Sequence, residues 1–129
     1  MNIHCFDTSA LVEITHAGLN SAKFAKALAK AETVIISTVS IYEIAHYTTH
    51  AAGETATAEI LAFLHQYRIT PVTAEIAELA ATLATRHKLA MADAIIYATT
   101  KTQNATLWTQ DNDFEGLPHV KYYPKIRPS

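Results

Sequence analysis

The sequence predicts an α/β fold built on a parallel sheet, because short β-branched or apolar runs alternate with longer stretches of helical periodicity. Composition agrees: 50% of residues are hydrophobic and 17% charged, which suits a buried core and excludes disorder as the main state. Length is the third observation, since 129 residues fit one domain of ordinary size, so residues 1–129 are read as a single unit.

Ile3–Phe6 is the first strand, and it stops at Asp7-Thr8-Ser9, residue types that favour helix N-caps over strand interiors. Two helices follow, Ala10–His16 and Ser21–Ala31, with Gly18 as the break between them. Val34–Ile36 is β-branched throughout and forms a second, buried strand. Ser37 and Thr38 then offer caps to a helix that runs to about His50, in a region ended by Gly53. Ala58–Tyr67 carries a helical stripe of Ile60, Leu61, Phe63 and Leu64, and Ile69–Val72, around Pro71, is a short edge strand. Thr73 caps an alanine-rich helix to about Arg86, and Met91–Thr102 is a further helix. Ala105–Thr109, with Leu107 and Trp108, is another buried strand; Val120–Tyr123 is a final edge strand before the basic tail Pro124–Ser129. The expected architecture is a central parallel sheet of four to five strands flanked by helices.

Cys5 is the only cysteine, so no intrachain disulfide is available and a small buried strand residue is the expected role. The segment Met1-Asn2-Ile3-His4-Cys5-Phe6 lacks a basic run followed by an apolar one, and no stretch approaches the roughly 20 apolar residues of a membrane span. A cytoplasmic protein with no membrane contact is expected. Ten Lys plus Arg against twelve Asp plus Glu give a formal net charge of -2, which by itself makes no case for a nucleic-acid partner.

The placement of the acids says more than their number. The only aspartates are Asp7, Asp93, Asp111 and Asp113, each at a boundary between elements. Asp7 ends the first strand and Asp111 follows the strand that ends near Thr109; in a parallel sheet such carboxyl ends are where ligands bind. Asp93 opens a helix that must run antiparallel to the strand it feeds, so it reaches the same edge. Glu43, in the second turn of the helix after Val34–Ile36, does so as well. Topology thus gathers acids that are 36, 50 and 18 residues apart along the chain.

Two carboxylates about 4 Å apart repel by roughly 4 kcal/mol at an effective dielectric near 20. Either some are protonated or cations fill the gap, and a hard divalent ion such as Mg²⁺ or Mn²⁺ is the simplest remedy. Taken singly, Asp7, Asp111 and Asp113 also read as caps or turn formers, and Asn112 with Glu115 has capping-box spacing. Glu43 does not read that way, because it sits among Val39, Ile41, Tyr42 and Ile44.

Asp7-Thr8-Ser9 after a strand, Glu43 within Ser40–Ile44, Asp93 within Ala92–Ala98, and Thr109-Gln110-Asp111-Asn112-Asp113-Phe114 together resemble the PIN-domain ribonucleases. The similarity is strongest to VapC-type toxins of toxin–antitoxin pairs, and it covers essentially the entire chain. It implies a PIN-like sandwich of helices around a parallel sheet, and an acidic pocket holding one or two Mg²⁺ or Mn²⁺ ions that orient and deprotonate water for attack on an RNA phosphodiester. By motif position, Asp7, Glu43, Asp93 and Asp111 are the catalytic and metal-holding acids, with Asp7 and Asp93 closest to the first ion. Asp113 is an outer or second-metal carboxylate, and the choice between Asp111 and Asp113 as the direct ligand stays open. Thr8, Ser9 and Thr109 match positions where the family often has a hydroxyl near the acids, either fixing carboxylates or capping. The resemblance also implies a cognate antitoxin laying an apolar segment with an Arg or Lys across the pocket, apolar grooves near the Glu43 helix to receive it, and a homodimer.

His46 and Glu43 form one Glu-x-x-His pair, where a di-iron bundle needs two, and His46 with His50 lacks a third zinc ligand. A phosphoacceptor receiver domain needs an aspartate mid-chain, yet none lies between Asp7 and Asp93. The rival of another class is a catalytically silent PIN-like module that binds protein or RNA, which would carry the acid repulsion with no ion to offset it. Lys23, Lys26 and Lys30 recur at helical spacing, as RNA phosphate contacts or as an ordinary solvated face. Without Asp7, Glu43, Asp93, Asp111 and Asp113, seven acids face ten bases, so the net charge of -2 describes an acidic pocket on a mildly basic domain.

Overall fold

The computed structural model describes residues 2–128; Met1, the first residue of the amino-terminal reading, and Ser129, the last of the basic tail, lie outside the described residues. The chain runs β1 (Ile3–Phe6), α1 (Thr8–Thr15), α2 (Ser21–Lys30), β2 (Thr33–Ser37), α3 (Thr38–Leu64), β3 (Arg68–Thr70), α4 (Ala74–His87), α5 (Met91–Thr102), β4 (Thr106–Thr109) and β5 (Val120–Tyr122), with a short 3-10 turn at Asn112–Phe114 between the last two strands. The five strands form one sheet in the order β3-β2-β1-β4-β5, and every pairing is parallel. The chain winds outward from β1 to β3, then returns to place β4 on the other flank of β1. The direction of winding reverses there, so the crevice at the carboxyl ends of β1 and β4 is the topological switch point.

Strand alternation builds two cores. Cys5, Ile35 and Leu107 point to one face, where Ile76 and Leu83 of α4 and Ile96 and Tyr97 of α5 cover them. Phe6, Val34 and Ile36 point to the other, against Leu11, Phe24, Ile44 and Leu64 from α1 to α3. Burial on both faces is why these strands read as unbroken apolar runs. Cys5 is the buried strand residue expected; it is 0% exposed, and burial pushes its thiol up to about 12.

Gly18 lies in the break between α1 and α2, as expected, and the left-handed residue there is Ala17 (φ 54°). A Cβ at Gly18 would displace the Glu13 carboxylate, which accepts the Asn20 N–H at 2.7 Å. Three local expectations are corrected. Helical geometry resumes directly after Gly53 (φ 89°, ψ 176°), ahead of the Ala58 start, and a Thr49–Thr57 hydroxyl contact of 2.7 Å bridges the break. The third strand is Arg68–Thr70, which leaves Pro71 just outside the sheet, where its missing N–H costs nothing. Asp111, not Asn112, caps the turn at Asn112–Phe114.

Gly53 occupies a backbone region open almost only to glycine, and nothing lies within 4 Å of where its Cβ would be. Gly53→Ala is therefore expected to cost about 1–3 kcal/mol through backbone strain alone, read as a fall in the urea midpoint with an unchanged slope.

Candidate metal centre

Asp7 lies at the base of the switch-point crevice and is 2% exposed. It ends β1 and caps α1, so its carboxylate is set by the backbone: Oδ1 accepts the Ala10 N–H at 3.0 Å. The Ser9 hydroxyl donates to the same oxygen at 2.7 Å, and the Thr109 hydroxyl donates to Oδ2 at 2.7 Å. Thr109 Oγ1 in turn accepts the Asp111 N–H at 2.9 Å, and Ser9 Oγ accepts the Gln110 N–H at 3.0 Å. The register that pairs Phe6 with Trp108 brings these residues together. Two hydroxyls thereby tie the end of β1 to the loop after β4. Asp7 itself is the helix cap, and the Ser9 and Thr109 hydroxyls bind its carboxylate rather than cap a helix.

Asp111 is half-buried and caps the next turn, its Oδ1 accepting the Asp113 N–H at 2.9 Å. That turn is pinned by Phe114, which is 0% exposed in the core beneath α5. Asp93, in the first turn of α5, meets the loop: Asp93, Asp111 and Asp113 each offer one carboxylate oxygen, and these oxygens lie within 4.8 Å of one another. Glu43 is half-buried on α3 and is held by the Thr8 hydroxyl, which also stands 3.1 Å from Ser40 Oγ.

The charges report on one another. Burial pushes the Asp93 carboxyl up to about 7, and the charges of Asp111, Asp7, Asp113 and Glu43 add to that rise. Burial likewise pushes Asp7 up to about 6, with the Asp111 charge adding and the hydrogen bonds from Thr109, Ala10 and Ser9 opposing. The donor set is oxygen only and its acids resist ionising side by side, which fits a hard divalent cation.

The other sequence candidates stand elsewhere. Lys23, Lys26 and Lys30 lie on the exposed side of α2 and line a separate cavity. His46 is exposed, stacks on Tyr42 (ring centroids 5.8 Å) and lies tilted against His50 (5.4 Å); among the described residues no histidine joins a group of three close ligands. One buried polar pair carried no sequence signal. Asn20, 0% exposed, donates through Nδ2 to Gln110 Oε1 at 2.8 Å and to the Pro124 carbonyl at 2.9 Å, fastening the loop before α2 to the loop after β4.

Thr109→Val keeps the side-chain volume but removes one donor to Asp7 and the acceptor of the Asp111 N–H. A loss of about 2 kcal/mol is expected by chemical denaturation, together with a weakening of Mn²⁺ binding by roughly tenfold or more in calorimetric titration.

The model of the PIN domain family matches residues 4–120. Among solved structures, a toxin–antitoxin complex from Klebsiella pneumoniae is similar at 28% identity and TM-score 0.80, over 94% of this chain and 98% of that one. VapBC2 from Rickettsia felis bound to a DNA fragment from its promoter is similar at 20% identity and TM-score 0.76, over 94% and 98% of the two chains. VapC20 from Mycobacterium tuberculosis, a sarcin-ricin loop cleaving toxin, is similar at 21% identity and TM-score 0.76, over 97% and 99%. The last two likenesses are of fold alone. No curated protein gives a significant match. No helix among the described residues is long and apolar enough to cross a membrane.

Proposed function

Because this chain belongs to the PIN domain family, we propose that it is a divalent-ion-dependent endoribonuclease that hydrolyses RNA phosphodiester bonds, and that it is the toxin of a type II toxin–antitoxin pair. The observation that carries this reading is the convergence of Asp93, Asp111 and Asp113 at the switch-point crevice, with Asp7 buried behind them. Those four acids and Glu43 are the residues that would hold one or two Mg²⁺ or Mn²⁺ ions. Such an ion, when bound, supplies positive charge for the scissile phosphate and favours hydroxide over water at neutral pH.

The rest of the work falls to the chain. Ser9 and Thr109 hold the Asp7 carboxylate in one rotamer, and Thr8 does the same for Glu43. Preset ligands raise ion affinity because little ordering is left for the binding step.

An antitoxin partner is supported by the likeness to the Klebsiella complex and by an apolar cleft beside Glu43. Thr38, Val39, Tyr42, Met91 and Ile95 line that cleft, and Tyr42 and Met91 are 68% and 78% exposed, an arrangement suited to an apolar segment ending in a cation near the acids. A homodimer is part of the same proposal.

Induced expression tests the reading in cells. Wild type is expected to arrest growth and to create new RNA 5′ ends, and Asp93→Asn to do neither at equal protein level. Arrest by both variants with no new 5′ ends would favour the silent binding module.

A further inference from the structure

On the sheet face covered by α1 to α3, α2 meets β1, β4 and the chain after β5 around a cavity of about 450 Å³. Lys23, Lys26 and Lys30 form one wall, and His4, Trp108 and Tyr123 line the remainder. None of these belongs to the acidic cluster.

The lysines follow one another at spacings of three and four, which puts them on a single helix face, and α2 contains no acidic residue to neutralise them. The opposing wall is aromatic and rigid. Trp108 stacks near-parallel with Phe6 (centroids 6.1 Å, 16°) and with Tyr123 (5.9 Å, 15°), and Lys23 Nζ sits 5.1 Å from the Tyr123 ring centroid. Two nitrogens of the lining residues, Trp108 Nε1 and His4 Nδ1, are buried without a hydrogen-bond partner. Trp Nε1–H is a donor only. Burial favours neutral His4, in which one ring nitrogen donates and the other accepts. An unmet buried donor or acceptor costs about 1–3 kcal/mol, so each is a nitrogen that a neighbouring polar group would satisfy.

Cations and flat apolar rings around the same space match a nucleotide, which brings an anion and a planar base together. We propose that this cavity holds one base of a single-stranded RNA against the Trp108–Tyr123 wall, with the phosphates of that nucleotide and of its neighbours along Lys23, Lys26 and Lys30, as an anchoring site separate from the carboxylate cluster. β4 links the two places, since Trp108 lines the cavity and the next residue, Thr109, holds Asp7. The choice of RNA rests on the ribonuclease reading, and the test separates the two.

Trp108 is the only tryptophan, so its fluorescence reports on this cavity. The wild-type protein is titrated with a single-stranded hexaribonucleotide in EDTA, where neither cleavage nor a divalent ion intervenes. The expected result is a saturable change in emission, with an affinity that falls with salt at a log–log slope near -2, about 0.7 for each of three lysines. The triple variant Lys23→Glu, Lys26→Glu, Lys30→Glu should bind at least tenfold more weakly with an unchanged unfolding temperature, because all three side chains are exposed. Should it fail to fold, Lys26→Glu alone should weaken binding and Lys26→Arg should restore it. An emission indifferent to the hexamer, or undiminished binding by the charge-reversed protein, overturns the proposal; so does inorganic phosphate or a nucleoside monophosphate binding as tightly as the hexamer. Saturable binding in EDTA without RNA cleavage in Mn²⁺ would uphold the cavity and count against the ribonuclease, and cleavage without binding here would do the reverse.

Discussion

Asp93→Asn is expected to lower kcat for RNA cleavage by roughly a thousandfold or more while making the ion-free protein more resistant to heat. Asp93 is the acid on which four other charges act, and it shares an ion-sized gap with Asp111 and Asp113. Losing a ligand that contributes about 4 kcal/mol of transition-state stabilisation through the ion corresponds to about three decades in rate. The amide keeps the shape and removes the charge that burial and its neighbours disfavour. Steady-state cleavage in Mn²⁺ and thermal unfolding in EDTA check the two halves together. A variant that loses activity and stability in step would show a merely structural role.

Stability of the ion-free protein should fall as pH rises from about 4 to about 7. Asp7 and Asp93 have folded values near 6 and 7, above the ordinary 3.8. Across that window the folded state therefore holds more protons than the unfolded state, and unfolding becomes easier as pH increases. The contribution is fully present below about 4 and is lost as pH passes through the folded values. For Asp7, 2% exposed, a shift from 3.8 to about 6 corresponds to about 3 kcal/mol. The half-buried Asp93 adds a smaller, solvent-screened share. Urea unfolding in EDTA at several pH values measures this, and the difference between wild type and Asp7→Asn isolates the buried carboxylate from the other acids. Saturating Mn²⁺ should flatten or invert the slope, because the ion binds the deprotonated carboxylates. Matching slopes in the two proteins would contradict the burial account.

The fold was legible because both faces of the sheet are covered, which makes Val34–Ile36 and Leu107–Trp108 unmistakable as apolar runs. Asp7, Glu43, Asp93 and Asp111 could be placed at one edge because parallel topology dictates where a strand ends and where the next helix begins. Details that depend on distant partners were not legible. The hydrogen bonds of Asn20 reach Gln110, 90 residues away, and nothing local marks either side chain as buried. The break at Gly18 was legible, but the Glu13 carboxylate that folds back beside it to accept the Asn20 N–H was not. The lysines of α2 could be read as a stripe, but the aromatic wall facing them comes from β1, β4 and the chain after β5, so the cavity exists only once the sheet is ordered.

The most direct test is cleavage of a single-stranded RNA by the purified protein, first stripped with EDTA and then restored with Mn²⁺ or Mg²⁺. The account predicts no cleavage in EDTA, discrete internal cuts on adding either ion, and none from Asp93→Asn at any ion concentration. Equal cleavage in EDTA and in Mn²⁺, or cuts that persist in Asp93→Asn, would contradict it.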